Sequence, residues 1–160
     1  MLDVVKTTSK SLIMKKLIIP IVALAAMILF FHSCKKKDPV SKTINVEGLF
    51  SLTGNWSSLG ITSKAAIELA AEDINAYLSE KKATFRLTTS VSDTKLDVEL
   101  AKTFFTKSKN NKTSFVIGPQ SSAELAAIKP LSDVAEVVVV SQSSTAGSLA
   151  VANDAIFRFC

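Results

Sequence analysis

The first 13 residues scatter polar and apolar positions without a period, and they predict no element. At Met14 the pattern changes. Lys15 and Lys16 lead into an apolar run over residues 17–31 that only Pro20 interrupts, and the run ends on His32-Ser33-Cys34 followed by Lys35-Lys36-Lys37. A positive flank, a short apolar stretch and a small residue before the break form the pattern of an export signal. The run is shorter than the roughly 20 residues that cross a bilayer, so removal is the expectation, ahead of a retained anchor or a buried helix. Met14 is the better start, because it puts the positive charges at the amino terminus.

After residues 38–42, which read as a linker, the pattern becomes regular. Residues 43–50 predict a strand, and Leu52-Thr53-Gly54-Asn55 a turn. Residues 60–78 place Ile61, Ala65, Ala66, Ile67, Leu69, Ala70, Ile74 and Leu78 at helical spacing, with Ser57 or Ser58 as a cap. Residues 84–91 predict a second strand, and 96–108 a second helix with an apolar stripe of Val98, Ala101, Phe104 and Phe105. A short strand follows over 113–117, and Gly118-Pro119 breaks it. A third helix spans 121–131 with Leu125, Ala126, Ile128 and Leu131 inward, and the valine run within 136–140 suits a parallel strand covered on both faces. Residues 155–159 begin a further strand.

Strands alternating with helices predict an α/β fold with a doubly wound, mostly parallel sheet. In such sheets ligands gather beyond the carboxyl ends of the strands, which is where this chain carries its polar loops: 51–58, 90–95, 119–122 and 141–145. Ser121 and Ser122 stand at the start of the third helix, where hydroxyls and backbone N–H groups receive a carboxylate or simply cap the helix. Ser143, Ser144 and Thr145 have the same two readings, as ligand donors or as turn residues.

Composition narrows the chemistry. Starting at Cys34, the chain has 127 residues with a formal net charge of +2, against +5 for the whole, and the excess is too small and too scattered to nominate nucleic acid. The only histidine, His32, precedes that start, and the only cysteines are Cys34 and Cys160. This argues against histidine-dependent triads and His/Cys metal sites, and no cofactor is expected. Asp73, Asp93 and Asp97 form no paired-carboxylate motif. Asp73 reads as helix surface and Asp93 as a turn or cap. Gly48, Gly54 and Gly60 lie too far apart for a dinucleotide fingerprint. The expectation is a binding protein, not an enzyme.

Phe31-His32-Ser33-Cys34 resembles the bacterial lipobox, which implies a diacylglyceryl group on Cys34 and lipid anchoring at the bacterial cell envelope, facing the periplasm or exterior. A soluble periplasmic protein with an incidental Cys34 is the other reading. The lysines after it read as a tether, solvated or lying on anionic headgroups. The segment Gly48-Leu49-Phe50-Ser51-Leu52-Thr53-Gly54, then Gly60 and Ala71-Glu72-Asp73-Ile74-Asn75, is similar to the opening of the leucine/isoleucine/valine-binding type of extracellular ligand-binding protein. Asp93-Thr94, Val116-Ile117-Gly118-Pro119-Gln120-Ser121-Ser122, Val140-Ser141-Gln142-Ser143-Ser144-Thr145 and Phe157-Arg158-Phe159 extend the match over residues 43–160.

The resemblance implies a type I periplasmic-binding fold whose two lobes close on a small solute, with an ABC permease as partner. Residues 1–33 are then upstream residues and signal peptide, 34–42 a lipidated tether, and 43–160 part of the first lobe. By local alignment Ser122, or Ser121, and Ser144 with Thr145 hold an amino acid's carboxylate and ammonium. Leu59 stands where amino-acid binders of this type often carry an aromatic residue, and Trp56 is close enough to supply a packing surface instead. The length suggests an incomplete first lobe: a fragment that binds weakly or not at all and associates through exposed apolar strands and Cys160. A ligand-sensing or structural envelope lipoprotein is the alternative to transport.

Overall fold

The computed structural model describes Val40 and residues 42–159. The elements run β1 (Lys42–Phe50), α1 (Ser57–Glu80), β2 (Phe85–Asp93), α2 (Val98–Asn110), β3 (Phe115–Ile117), α3 (Ser122–Ala135), β4 (Val138–Ser141), a 3-10 turn (Gly147–Leu149) and β5 (Ile156–Arg158). All four strand pairings are parallel, in the order β2-β1-β3-β4-β5. The expected doubly wound α/β sheet is therefore present. The chain turns back between β1 and β3, and crevices for ligands form at such reversals.

Two cores flank the sheet. On one face Leu49, Val116, Val139 and Ile156 meet Ala101 and Phe105 of α2 and Leu125 and Ile128 of α3. On the other, Val46 and Phe50 pack with Ile67 of α1. The valine run is not covered evenly: Val137 and Val139 are buried, whereas Val138 and Val140 are half-buried, because α1 lies against β1 and β2. Ala126 and Leu131, expected inward, are exposed.

The largest correction concerns α1. Of its eight expected inward positions only Ile67 and Leu78 are buried, and Leu69 is 60% exposed. At about 100° per residue these positions spread around most of the helix, and a sheet covers only one side. Polar pairing supplements that narrow contact. The Asn75 amide donates to the Leu87 carbonyl (2.9 Å) and accepts from its N–H (2.9 Å), occupying the outer rim of β2.

Helix starts depart from expectation for local reasons. Neither Ser57 nor Ser58 caps α1. Trp56 holds the cap position without a side-chain bond, and the Gly54 turn (φ +80°) receives Ser57 N–H at 3.1 Å. α2 begins at Val98 because Lys95 and Leu96 are both left-handed, and Asp97 then accepts from Glu99 and Leu100 N–H at 2.8 Å each. α3 continues through Pro130, whose missing N–H falls on an exposed side, and ends at the left-handed Glu136.

Gly60 sets how closely α1 approaches the end of β1, since a Cβ there would run into the Ser51 carbonyl. Gly60→Ala is expected to lower stability by more than about 2 kcal/mol, read by denaturant unfolding. A change within about 0.5 kcal/mol, typical of an ordinary surface substitution, would refute this account of the contact.

Candidate functional site

The loops at the carboxyl ends of the strands are held by side chains that cross between them. After β1, Asp93 accepts from Leu52 N–H (2.8 Å), Thr53 hydroxyl (2.7 Å) and Lys95 N–H (3.1 Å). After β3, Gly118 is left-handed (φ +99°) and lies against the Leu49 carbonyl so closely that a Cβ would not fit. Ser141 donates to the Pro119 carbonyl (2.7 Å) and Ser143 to the Gln120 carbonyl (2.7 Å), joining the loops after β3 and β4. Gln142 reaches Ser63 of α1 at 3.2 Å. Asp93, read as a turn or cap, is instead the last residue of β2 and has long-range partners, while Asp73 lies on the exposed helix surface.

The sequence-expected residues divide into groups. Ser121 is the N-cap of α3, and its hydroxyl is engaged with the Glu124 carboxylate (2.6 Å) and N–H (3.2 Å) in a capping box. Ser122, one residue on, bonds Ser144 Oγ (3.0 Å) and accepts from Ala146 N–H (3.2 Å). Ser122 and Ser144 thus meet at the amino end of α3, with Thr145 exposed beside them. Trp56, 42% exposed, lines an open groove of about 420 Å³ with Asn55, Ser58, Leu59, Thr62 and Ser143. The groove unites Trp56 with Ser143 and does not include Ser122, Ser144 or Thr145.

Sequence reasoning missed two supports. Arg158, from β5, donates to the carbonyls of Ala146 (2.6 Å) and Ser144 (3.4 Å) and braces the serine loop from behind. Gln120 is fully buried, and its side-chain oxygen accepts from Ser51 N–H at 2.8 Å. Nothing local marks either residue. The Ser121-x-x-Glu124 spacing, by contrast, carries the capping-box signal that separates Ser121 from Ser122.

A larger groove, about 510 Å³, lies near the amino ends of β4 and β5, lined by Lys129, Asp133, Glu136 and Asp154 among others. Its central charges satisfy each other: Lys129 pairs with Asp154 (2.8 Å) and Asp133 (2.9 Å). The loops at the carboxyl ends instead gather hydroxyls and N–H groups at a helix start, an arrangement that suits an anion. Among the described residues no cluster of His, Cys, Asp and Glu suits a metal ion.

Residues 62–158 match the family model described as the receptor family ligand binding region. The chain belongs to this family. Its fold is that of a type I periplasmic, ABC-type substrate-binding lobe, and the family binds ligands without transforming them, so the chain is not an enzyme. An uncharacterised protein of Methanocaldococcus jannaschii is 31% identical over 103 residues, 64% of this chain and 25% of that protein. The branched-chain amino acid transporter substrate-binding protein LivJ of Streptococcus pneumoniae, solved with isoleucine, is 25% identical with a TM-score of 0.65, covering 72% of this chain and 33% of that one. The leucine-binding protein LivK of Thermotoga maritima gives 21%, 0.64, 73% and 32% in the same order. A solute-binding protein of Rhodopseudomonas palustris, solved with 3,4-dihydroxybenzoic acid, gives 20%, 0.54, 64% and 27%. The chain therefore spans about a quarter to a third of the length of these relatives.

The hydrogen bonds on Asp93 favour its ionised form. Burial alone would raise the Asp93 carboxyl, but hydrogen bonds from Thr53, Leu52 and Lys95 outweigh it and hold it below the usual carboxylate range. Asp154 is also lowered, mainly by its bond to Lys129. A depressed folded pKa gives stability that is present above the unfolded value of about 4 and is lost as pH falls through the folded value. The melting-temperature difference between the native chain and Asp93→Asn should therefore be largest above about pH 5 and shrink below about pH 4. A difference constant from about pH 2 to about pH 7 would count against the Asp93 contacts.

Proposed function

We propose that the chain is part of the first lobe of an envelope-anchored solute-binding protein serving an ABC-type importer, with a small carboxylate-bearing solute, such as an amino acid, as ligand. The observation that carries this reading is the meeting of Ser122, Ser144 and the Ala146 N–H at the amino end of α3, on the loop face of a parallel sheet. Neutral donors at a helix start suit a carboxylate. Isoleucine and 3,4-dihydroxybenzoic acid, the ligands of two similar proteins, both carry that group and differ in the rest. In this reading Ser122, Ser144 and Thr145 take the carboxylate, Ser143 borders the apolar part, and Trp56 with Leu59 supplies a wall. Ser121 serves the helix cap. One lobe encloses a small solute on one side only, so high affinity requires a facing lobe.

Alanine at Ser122, Ser144 or Thr145, in a version of the protein carrying both lobes, is expected to raise the dissociation constant by about 1.5–3 kcal/mol equivalent per lost charged hydrogen bond, measured by isothermal titration against a panel of amino acids and aromatic acids. Unchanged affinity at all three positions, with folding intact, would exclude the assignment.

The domain division belongs to the same proposal: signal peptide and upstream residues to 33, a lipidated tether over 34–42, and the lobe from 43. Cys34 and Cys160 lie outside the described residues, and among those described no helix is long and apolar enough to cross a membrane. Cys34→Ser is expected to move the protein from the membrane pellet to the soluble fraction of bacterial cells. Continued sedimentation with membranes would refute lipid attachment at Cys34. Ligand sensing uses the same capture step, and the family description includes receptors. A permease and ATPase encoded beside this gene favours import, and a signalling protein favours sensing.

A further inference from the structure

The loops after β1, β3 and β4 converge on one residue that makes none of the proposed ligand contacts. Gln120 is fully buried where the strand order turns back between β1 and β3. Its side-chain oxygen accepts from Ser51 N–H at 2.8 Å, and its backbone oxygen accepts from Ser143 Oγ at 2.7 Å. Ser121, next in the chain, caps α3. Ser51 is itself fully buried, so its N–H has no access to solvent. It also opens the segment that leads to Trp56, and its hydroxyl folds that segment back by donating to the Thr53 carbonyl at 2.9 Å. The Gln120 side-chain N–H group has no protein partner among the described residues. The position thus uses the oxygen of the amide.

We propose that Gln120 is the positioning residue of the binding face: its side-chain oxygen fixes Ser51, and through it the Trp56 turn, against the Ser122 and Ser143 loops. This rests on the reading of the carboxyl-end loops as the binding face. Losing the acceptor strands a buried N–H, and the turn escapes the resulting desolvation by moving outward. The sheet beneath does not depend on it, because Val116 and Val139 are held by the β1-β3-β4 ladder. The charged groups on the elements of this face have partners of their own: Asp93 at the end of β2 accepts from Leu52 N–H, Glu124 on α3 from Ser121, Lys64 on α1 is ion-paired with Glu68, and Arg158 on β5 donates to the Ser144 and Ala146 carbonyls. Glutamate at this position keeps an oxygen that accepts from Ser51 N–H in either protonation state, whereas leucine keeps the volume and loses the acceptor.

The test is hydrogen exchange by NMR on the ligand-free full chain with Gln120→Leu and Gln120→Glu, reading Ser51 against Val116 and Val139 at each pH as protection factors. In Gln120→Leu, Ser51 is expected to lose protection by about tenfold, the scale of one neutral hydrogen bond, while Val116 and Val139 stay within about threefold. Gln120→Glu, which keeps an oxygen for Ser51 N–H whether or not it is protonated, should hold Ser51 protection within about threefold of the native chain near both about pH 5 and about pH 8. Unchanged Ser51 protection in Gln120→Leu, or equal loss at all three amides, overturns the proposal. If Gln120→Leu fails to fold, Gln120→Met, which also lacks the amide oxygen, takes its place: unchanged Ser51 protection overturns the proposal, and a deprotected Ser51 over a constant Val139 upholds it. Solute titration separates this from the binding reading. Native affinity in a variant whose Ser51 is deprotected refutes positioning alone. A native two-lobed protein that binds no solute refutes the binding reading, and the exchange result then decides by itself whether Gln120 holds the Ser51 turn.

Discussion

A parallel sheet leaves the peptide groups at the carboxyl ends of its strands without ladder partners, and buried peptide groups must find some. In this protein backbone bonds such as Thr94 N–H to the Phe50 carbonyl and Gly118 N–H to the Val140 carbonyl meet part of the need, and side chains from other loops meet the rest. Asp93 serves the segment after β1, Gln120 serves Ser51, Ser141 serves Pro119, and Arg158 serves Ser144 and Ala146. Each partner comes from a neighbouring strand end, so the loops form a single connected surface. Strand register makes this possible: Phe50 lies opposite Asp93, Ile117 opposite Val140, and Ser141 opposite Arg158.

That surface is where binding and stability overlap. A hydroxyl donated to a carbonyl or carboxylate brace reaches a ligand only by giving up that bond, whereas the buried Ser144 hydroxyl is donated to Ser122, a candidate of the same cluster. Ser121 and Ser143 are committed to the Glu124 carboxylate and the Gln120 carbonyl. Ser122 stands between the helix start and the serine loop. Adjacent serines with the same chemistry in sequence are therefore assigned different work by the partners the fold brings to them.

Much of the architecture is legible in the sequence because it rests on periodicity. Alternation and helical spacing yield the order of strands and helices, and that order allows few sheets. The stripe at Ala101 and Phe105 is buried as its spacing predicts, because α2 has one apolar side. α1 defeats the same reasoning because it is apolar nearly all round, so spacing alone does not say which side meets the sheet. The start of α2 lies two residues beyond its expected place because Lys95 and Leu96 adopt a left-handed backbone that ordinary side chains rarely announce. Gln120 and Arg158 are invisible for another reason: their partners lie on other loops, 69 and 14 residues away in sequence for Ser51 and Ser144. The loop cluster is foreseeable from its polarity, but the bonds that organise it are not.

The Asn75 amide on the rim of β2 bears on how copies of this protein meet. It presents to Leu87 the donor and acceptor that an incoming strand would otherwise present, so the sheet is stoppered there. An approaching strand finds no open donor or acceptor at Leu87 and would have to pair around it, so the Asn75 side chain works as a plug part-way along that edge.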